Sequence, residues 1–96
     1  MTKKEMQERI EYLQEGIMNL GYWASEANYM GMYDEEEGAM QMQSKYFEEK
    51  RFLQSKIKEI EKLEEELDLA EMVGDYEKVH YRRLDIKEIE DSVESK

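Results

Sequence analysis

Residues 2–31 read TKKEMQERIEYLQEGIMNLGYWASEANYMG, and the spacing of their apolar residues decides the fold. Apolar side chains recur at alternating intervals of four and three residues, at Met6, Ile10, Leu13, Ile17, Leu20, Ala24 and Ala27. That interval keeps them on one face of an α-helix. Thr2 and Glu5 match a capping box, which begins a helix, and Gly31 suits the C-terminal cap that ends one. The pattern predicts a first helix over about residues 2–30.

The same spacing continues after Gly31 and predicts two further helices. The second stripe runs through Ala39, Met42, Tyr46, Leu53, Ile57, Ile60, Leu63, Leu67 and Ala70. Gly74 and Asp75 then break the pattern. A third stripe follows at Tyr76, Val79, Arg83, Ile86, Ile89 and Val93. We therefore expect helices over about residues 33–73 and 76–94, with fraying of the last residues, 94–96.

The composition favours an all-α protein with a single helical domain over residues 1–96. The chain has 96 residues, no Pro, no Cys and five Gly, and a chain of this size builds one core or one helical array. Short turns imply antiparallel helical hairpins with coiled-coil-like packing. Because two helices leave apolar surface uncovered, we expect either a break in the second helix near Ser44 or Gln54-Ser55, or a homodimer.

The two predicted turns are related by an internal repeat at a spacing of 43 residues. A small residue, then Gly-x-Tyr and an acidic residue, occur at 27–34 and again at 70–77. The pattern resembles the turn inside a tetratricopeptide hairpin over about ten residues of each copy. It lacks the Pro and the period of about 34 residues typical of that repeat, so we interpret it as a shared way of joining two helices. Alternatively, any two helix turns that contain Gly would be as similar as these two.

The charge of the chain indicates which kind of partner to expect. Its net charge is −11, from 25 acidic and 14 basic residues, which disfavours direct binding to nucleic acid or to an anionic membrane surface. It favours a protein partner with a basic surface. No Lys or Arg occurs between Ile10 and Ser44, and an acidic turn lies inside this region at Asp34, Glu35, Glu36 and Glu37.

A second acidic block, at residues 59–77, contains a regular series of carboxylates. Its members are three or four residues apart, at Glu61, at Glu64 or Glu65, and at Asp68, Glu71 and Asp75. On a helix this spacing places a negative charge every 4.5 to 6 Å or so along one face, which approximates the backbone of a nucleic acid. We interpret the series either as a solvated face or as a DNA mimic that binds a nucleic-acid-handling protein. Carboxylates near the C-terminal end of a helix oppose its dipole, which favours a functional role.

Large apolar residues of the first helix also lie outside its predicted core stripe. Trp23 and Met30 are seven residues apart on one flank, and Tyr22 and Tyr29 are seven apart beside them. We interpret this aromatic strip either as the edge of a wide core or homodimer contact, or as a partner-binding surface. Trp and Tyr concentrate binding energy at interfaces.

Neither catalysis nor a cofactor is expected from the motifs. Glu77-x-x-His80 matches half of a dimetal carboxylate site, but His80 is the single histidine of the chain, so we expect no metal. The sequence contains no catalytic-triad order and no Gly-rich phosphate loop. It also contains no signal-peptide pattern and no apolar run long enough to span a membrane, so we predict a cytoplasmic protein.

These observations together predict a small acidic helical protein that binds and modulates another protein. The partner would be basic or nucleic-acid-handling, and the protein an inhibitor of the kind that phages or mobile elements encode. The alternative is a structural homo-oligomer or assembly adaptor that uses its aromatic strip for self-association.

Overall fold

The computed structural model describes residues 1–94, and these residues form three α-helices. The helices are α1 (Lys3–Tyr29), α2 (Tyr33–Val73) and α3 (Tyr76–Ser92). The prediction of an all-α protein is confirmed, and the helix ends agree with the predicted ones to within two residues. Of the expected fraying at 94–96, residues 95 and 96 lie outside the described part of the chain.

The capping box at the beginning of α1 is confirmed. The backbone N–H of Glu5 donates to Thr2 Oγ1 at 3.2 Å, and the backbone N–H of Thr2 donates to Glu5 Oε1 at 3.0 Å. Both bonds occupy N–H groups that have no partner inside the helix. The bond from the Thr2 backbone is the largest cause of a lowered pKa of the Glu5 carboxyl, and the Thr2 hydroxyl adds to it.

The two turns have the same hydrogen-bonding geometry. Gly31 has a φ of 74° and Gly74 a φ of 73°, a left-handed conformation that Gly adopts without strain. Met32 donates its backbone N–H to the Ala27 carbonyl at 2.7 Å. In the second turn, Asp75 donates its backbone N–H to the Ala70 carbonyl at 2.9 Å. Each Gly also donates to the carbonyl three residues earlier, at 3.1 and 3.2 Å. Both turns are therefore Schellman motifs.

The repeat at a spacing of 43 residues extends from the turns into the helices. The paired positions have matching burial, with Ile17 and Ile60 buried, Leu20 and Leu63 half-buried, Ala24 and Leu67 half-buried, and Ala27 and Ala70 buried. After the turns, Gln43 with Ile86 and Tyr46 with Ile89 are all half-buried. The repeat is therefore structural, and each copy is a helical hairpin.

Contacts within the chain divide it into two compact units, one for each hairpin. The N-hairpin is Glu8–Leu53, with most of α1 and the first half of α2. The C-hairpin is Met1–Gln7 with the chain from Gln54 onward, which contains the second half of α2 and α3. Since α2 is one helix from Tyr33 to Val73, the first of the two alternatives, a break within it, is wrong. The homodimer remains a prediction.

The core of the N-hairpin lies between α1 and the first half of α2. Its buried apolar residues are Leu13, Ile17, Ala27, Ala39 and Leu53. Gly16 lets the Tyr46 ring approach α1, since a Cβ at position 16 would lie 2.6 Å from Cε2 of that ring. Gln43 donates from Nε2 to the Ile17 carbonyl at 2.9 Å.

The core of the C-hairpin joins the second half of α2, α3 and the beginning of α1. Its buried apolar residues are Met6, Ile57, Ile60, Ala70, Val79 and Val93. The ammonium group of Met1 donates to the carbonyls of Glu90 and Val93 at 2.8 and 2.7 Å, and the Lys3 N–H donates to Glu90 Oε2 at 2.8 Å. The beginning of α1 and the end of α3 therefore cap each other, with the charges that their dipoles favour.

Some members of the predicted stripes are not buried. Met42 is 48% exposed and Tyr76 is 78% exposed, and Ile10 and Leu20 are half-buried. The half-buried residue next to Met42 is Gln43, whose amide bonds the α1 backbone. Tyr76 is the first residue of α3, directly after the turn, where Val79 is the first residue to reach the core.

Truncation of one core residue in each hairpin tests the helix pairing. Ile17 is 8% exposed and Ile60 is 1% exposed, and loss of a buried Ile side chain to Ala costs about 2–5 kcal/mol. We expect both Ile17→Ala and Ile60→Ala to lower the thermal midpoint measured by circular dichroism. Asn19→Ala, at an exposed position of α1, is the matched control and should leave it nearly unchanged. Unchanged midpoints for both Ile variants would contradict the assignment of the core.

Two glycines in helices should respond to alanine with opposite signs. Gly→Ala inside a helix gains about 1 kcal/mol where there is room, and a Cβ at Gly38 meets no atom within 4 Å. A Cβ at Gly16 would displace the half-buried Tyr46 ring, and such overpacking costs about 1–3 kcal/mol. Urea unfolding should show Gly38→Ala more stable and Gly16→Ala less stable than the natural protein. Equal effects of the two substitutions would mean that Tyr46 does not pack on Gly16.

Candidate protein-binding surface

The four apolar residues predicted to form the aromatic strip are all exposed. The exposed fractions are 70% for Tyr22, 93% for Tyr29, 44% for Trp23 and 66% for Met30. Successive residues of a helix are about 100° apart around its axis. Tyr22 and Tyr29 therefore lie on one side of α1, and Trp23 and Met30 lie nearer the other. The strip expected from the sequence therefore consists of two neighbouring rows on α1, which we call the Tyr side and the Trp side.

On the Tyr side, exposed apolar residues continue along both helices of the N-hairpin. Met18 is 56% exposed and lies four residues before Tyr22 on α1. Met40 is 54% exposed and Phe47 is 39% exposed, and these two are seven residues apart on α2. Residues three, four or seven apart share a helix face. Each helix of the N-hairpin therefore carries an exposed apolar row beside its buried stripe.

A groove of about 390 Å³ lies between α1 and α2 on this side, and we call it the Tyr-side groove. Its lining residues are Gly21, Ala24, Ser25, Asn28, Glu36, Met40 and Gln43. On the α1 side of the groove the lining side chains are small. At Gly21, an added Cβ would lie 3.4 Å from Gln43 Nε2. Large apolar groups lie along the edge of the groove at Met18 and Tyr29. These residues share a face of α1 with Ser25, since Met18 is seven residues before it and Tyr29 is four residues after it.

Residues on the part of the Trp side that precedes Trp23 make contacts within the protein. Arg9 donates from Nε to Glu49 Oε2 at 2.6 Å, and its guanidinium lies 4.9 Å from the centre of the Tyr12 ring. The bond with Glu49 raises the pKa of Arg9. Gly16, seven residues before Trp23 on the same flank, is covered by the Tyr46 ring.

The predicted acidic turn lies at the N-terminal end of α2, in the same hairpin as the Tyr-side groove. Asp34, Glu35 and Glu37 are exposed, and Glu36 is half-buried and lines the groove. Negative charge in the first turn of a helix favours the helix through its dipole by about 0.3–1 kcal/mol. These carboxylates therefore stabilise α2, and the exposed ones also face solvent.

In the regular series of carboxylates of the second acidic block, three of the six residues have partners inside the C-hairpin. Glu64 accepts from Lys3 Nζ at 2.7 Å, Glu71 accepts from Arg83 at 3.1 Å, and Asp75 accepts from the Lys78 N–H as the N-cap of α3. The hydrogen bond with Glu64 is the largest cause of the raised pKa of Lys3, and the charge of Glu61 adds to it.

Three carboxylates of this series therefore stabilise the C-hairpin, a role that the sequence analysis did not predict. Its neighbour Glu66 also pairs with Arg82, at 2.9 Å, so α3 and the beginning of α1 supply the cations. Within residues 1–94, Glu61, Glu65 and Asp68 are the members of the series that make no ion pair or hydrogen bond through their carboxylates.

The remaining predicted motif, Glu77 with His80, lies near the beginning of α3. His80 is exposed, and its ring centre lies 5.7 Å from that of Tyr81. The described part of the chain contains no group of three or more His, Cys, Asp or Glu side chains that could hold a metal ion. It also contains no buried polar or charged residue.

Comparisons with protein families, with curated proteins and with solved structures found no significant match to this chain. Over residues 1–94, none of the helices combines the length and the apolar character needed to cross a lipid bilayer.

The groove and its apolar edge were missed by the sequence reasoning. Met18, Tyr22, Ser25 and Tyr29 repeat the four-and-three spacing of the core stripe at an offset of one or two residues, so a second stripe on α1 was visible. The position of the small residues Gly21 and Ser25 in the groove depends on which face of α1 is covered by α2, and the apolar stripe alone does not reveal that.

Charge reversal should affect the stability of the protein differently at carboxylates with an ion-pair partner and at carboxylates without one. We expect Glu71→Lys and Glu64→Lys to lower the thermal midpoint, because each turns an attraction into a repulsion. Both pairs are partly exposed, so each loss should be about 1 kcal/mol or less. The matched controls Glu65→Lys and Asp68→Lys should cause no loss, since they only reduce the excess negative charge. Equal destabilisation by all four substitutions would contradict the distinction.

Proposed function

We propose that this protein is a binding module for a basic protein partner, and that it uses the exposed apolar surface of its N-hairpin. The observation that carries the proposal is the exposure of Tyr22, Trp23, Tyr29 and Met30 on one helix. Large apolar groups gathered on the surface of a small soluble protein mark interaction sites. Tyr and Trp are also the residues whose truncation most weakens interfaces.

The charge around this surface supports a basic partner. Between Ile10 and Ser44 the chain contains carboxylates and no Lys or Arg. A partner with cationic groups around an apolar contact would be attracted before contact and favoured over acidic competitors. Modulation, with inhibition as its simplest form, would follow if the bound surface of the partner is its functional one.

Mimicry of a nucleic acid is the more specific form of this proposal, and it would involve the second acidic block. Glu61, Glu65 and Asp68 are exposed on α2 and are free to face a nucleic-acid-binding protein. Glu64, Glu71 and Asp75 contribute to the folded hairpin, which gives half of the series a second role. In this form of the proposal, Glu61, Glu65 and Asp68 would influence the choice of partner.

Self-association is a second candidate, and the exposed residues around the turns favour it. Tyr29, Met30 and Tyr33 are exposed at the first turn, and the equivalent Met72, Val73 and Tyr76 are exposed at the second. Two equivalent apolar surfaces suit an assembly of identical chains. Size-exclusion chromatography with light scattering should give the monomer mass, 11.6 kDa, if the binding-module proposal holds, and a multiple of it if the chain is a homo-oligomer.

Capture of partners by matched variants tests the binding module. The immobilised protein is compared with Tyr22→Ala/Tyr29→Ala, with Trp23→Ala/Met30→Ala and with Met72→Ala/Tyr76→Ala, using an extract of the cells that make it. Truncation of interface anchors costs about 2 kcal/mol or more. We expect at least one N-hairpin variant to lose a specifically retained protein and the C-hairpin variant to keep it. Retention by all three variants would contradict the proposal.

The acidic turn should act on the same complex in a salt-dependent way. Neutralising Asp34, Glu35 and Glu37 to the corresponding amides should slow association most at low ionic strength, where the Debye length is about 30 Å. At about 0.5 M salt the variant and the natural protein should associate at similar rates. Surface plasmon resonance at several salt concentrations measures both rates. A salt-independent association rate would show that these charges do not steer the partner.

A further inference from the structure

We propose that the Tyr-side groove binds one amphipathic α-helix of the partner, with Lys or Arg along the edges of that helix, and so completes a three-helix bundle. This inference rests on the proposed binding function and names the site and the shape of its ligand. It follows from the second apolar row of α1, from the small residues in the groove and from the charge around it.

The first observation is that α1 has two apolar faces. One face is buried on α2 through Leu13 and Ile17. The other carries Met18, Tyr22 and Tyr29 at four- and seven-residue intervals, and it is exposed. A helix with two such faces is what the middle of a helical bundle requires, because each face packs against a different neighbour.

The dimensions of the groove fit a helix. From Met18 to Tyr29 the edge of α1 covers eleven steps of the helix, or about 16 Å at 1.5 Å per residue. This is the length of about three helical turns. The low wall of Gly21, Ala24 and Ser25 would admit the apolar side chains of such a helix, and Met40 and Phe47 would lie on its other side. Methionines adapt their shape to a partner surface.

The C-hairpin provides an internal comparison, because the repeat places equivalent residues on its own flank. Asn28 and Met40 of the groove correspond to Glu71 and Arg83, which form an ion pair across that flank at 3.1 Å. Gly21 corresponds to Glu64, which is paired with Lys3 at 2.7 Å. This flank therefore carries ion-paired side chains in the C-hairpin, and small and apolar residues at the equivalent positions of the N-hairpin.

The charge of the N-hairpin selects a cationic helix as the occupant. Glu36 lines the groove, and Glu11 and Glu15 precede Met18 and Tyr22 by seven residues each on the same face of α1. A Lys or Arg on either edge of the bound helix would meet one of these carboxylates. A second copy of this chain is disfavoured, because each copy has a net charge of −11.

An NMR titration with a synthetic helical peptide tests this inference directly. The probe has about 14 residues, with Leu at helical a and d positions, Lys beside them and Ala elsewhere. Two control peptides replace every Lys with Glu, or scramble the order of the same residues. We expect the Lys peptide alone to shift the amide signals of Gly21, Ser25, Asn28 and Gln43. Equal shifts with the scrambled peptide, shifts confined to the Trp side, or no binding at millimolar peptide would overturn the proposal.

Matched tryptophan substitutions confirm the location. Ser25→Trp fills the groove, whereas Asn19→Trp places the same side chain at an exposed position near the Trp side of α1. We expect the first to weaken peptide binding about tenfold or more and the second to leave it unchanged, with equal helicity by circular dichroism. Met40→Lys is the second groove variant and should weaken binding through charge. Unchanged affinity for both groove variants would overturn the proposal.

The two proposals fail in different ways. If the Trp23→Ala/Met30→Ala variant loses the captured partner while Tyr22→Ala/Tyr29→Ala keeps it, the binding module stands and the groove inference is wrong. If every variant keeps the same captured proteins, the binding module is wrong as well.

Discussion

Burial of the apolar stripe of α2 is the interaction on which the rest of the structure depends. The stripe is longer than α1 or α3, and each half of it is covered within its own hairpin. This arrangement requires the chain to reverse twice, and each reversal requires a residue with positive φ. Gly31 and Gly74 supply it with the same Schellman hydrogen bonds. The turn chemistry and the stripe therefore define one hairpin design that the chain uses twice.

The two hairpins differ in the residues on their outer surfaces. The C-hairpin uses charged residues to hold its helices together, through Glu64 with Lys3, Glu66 with Arg82 and Glu71 with Arg83. The N-hairpin joins α1 and α2 with Tyr46 over Gly16 and with Arg9 and Glu49 on the Trp side, and with Gln43, which lines the Tyr-side groove. Its Tyr side carries the exposed apolar residues Met18, Tyr22 and Tyr29, and this difference underlies the proposed function.

The helices and turns could be predicted from the sequence because they depend on local signals. Apolar spacing, the capping box at Thr2 and Glu5, and the two Gly residues determine helix positions with no knowledge of the tertiary contacts. Which residues of a stripe are buried depends on its neighbours. Met42 lies on the predicted stripe, but it is exposed, and the adjacent Gln43 bonds the backbone of α1. The mutual capping of Met1 and Glu90 joins opposite ends of the chain, and no local pattern reveals it.

The candidate site was predictable as a set of residue types and not as a surface. The exposure of Tyr22, Trp23, Tyr29 and Met30 agrees with their position outside the core stripe, but their division between two sides follows from helix geometry relative to α2. Hydrogen–deuterium exchange of the protein with and without its captured partner tests the central claim most directly. We expect new protection in residues 18–29 and 36–47. Protection concentrated in residues 61–83, with none in the N-hairpin, would contradict it.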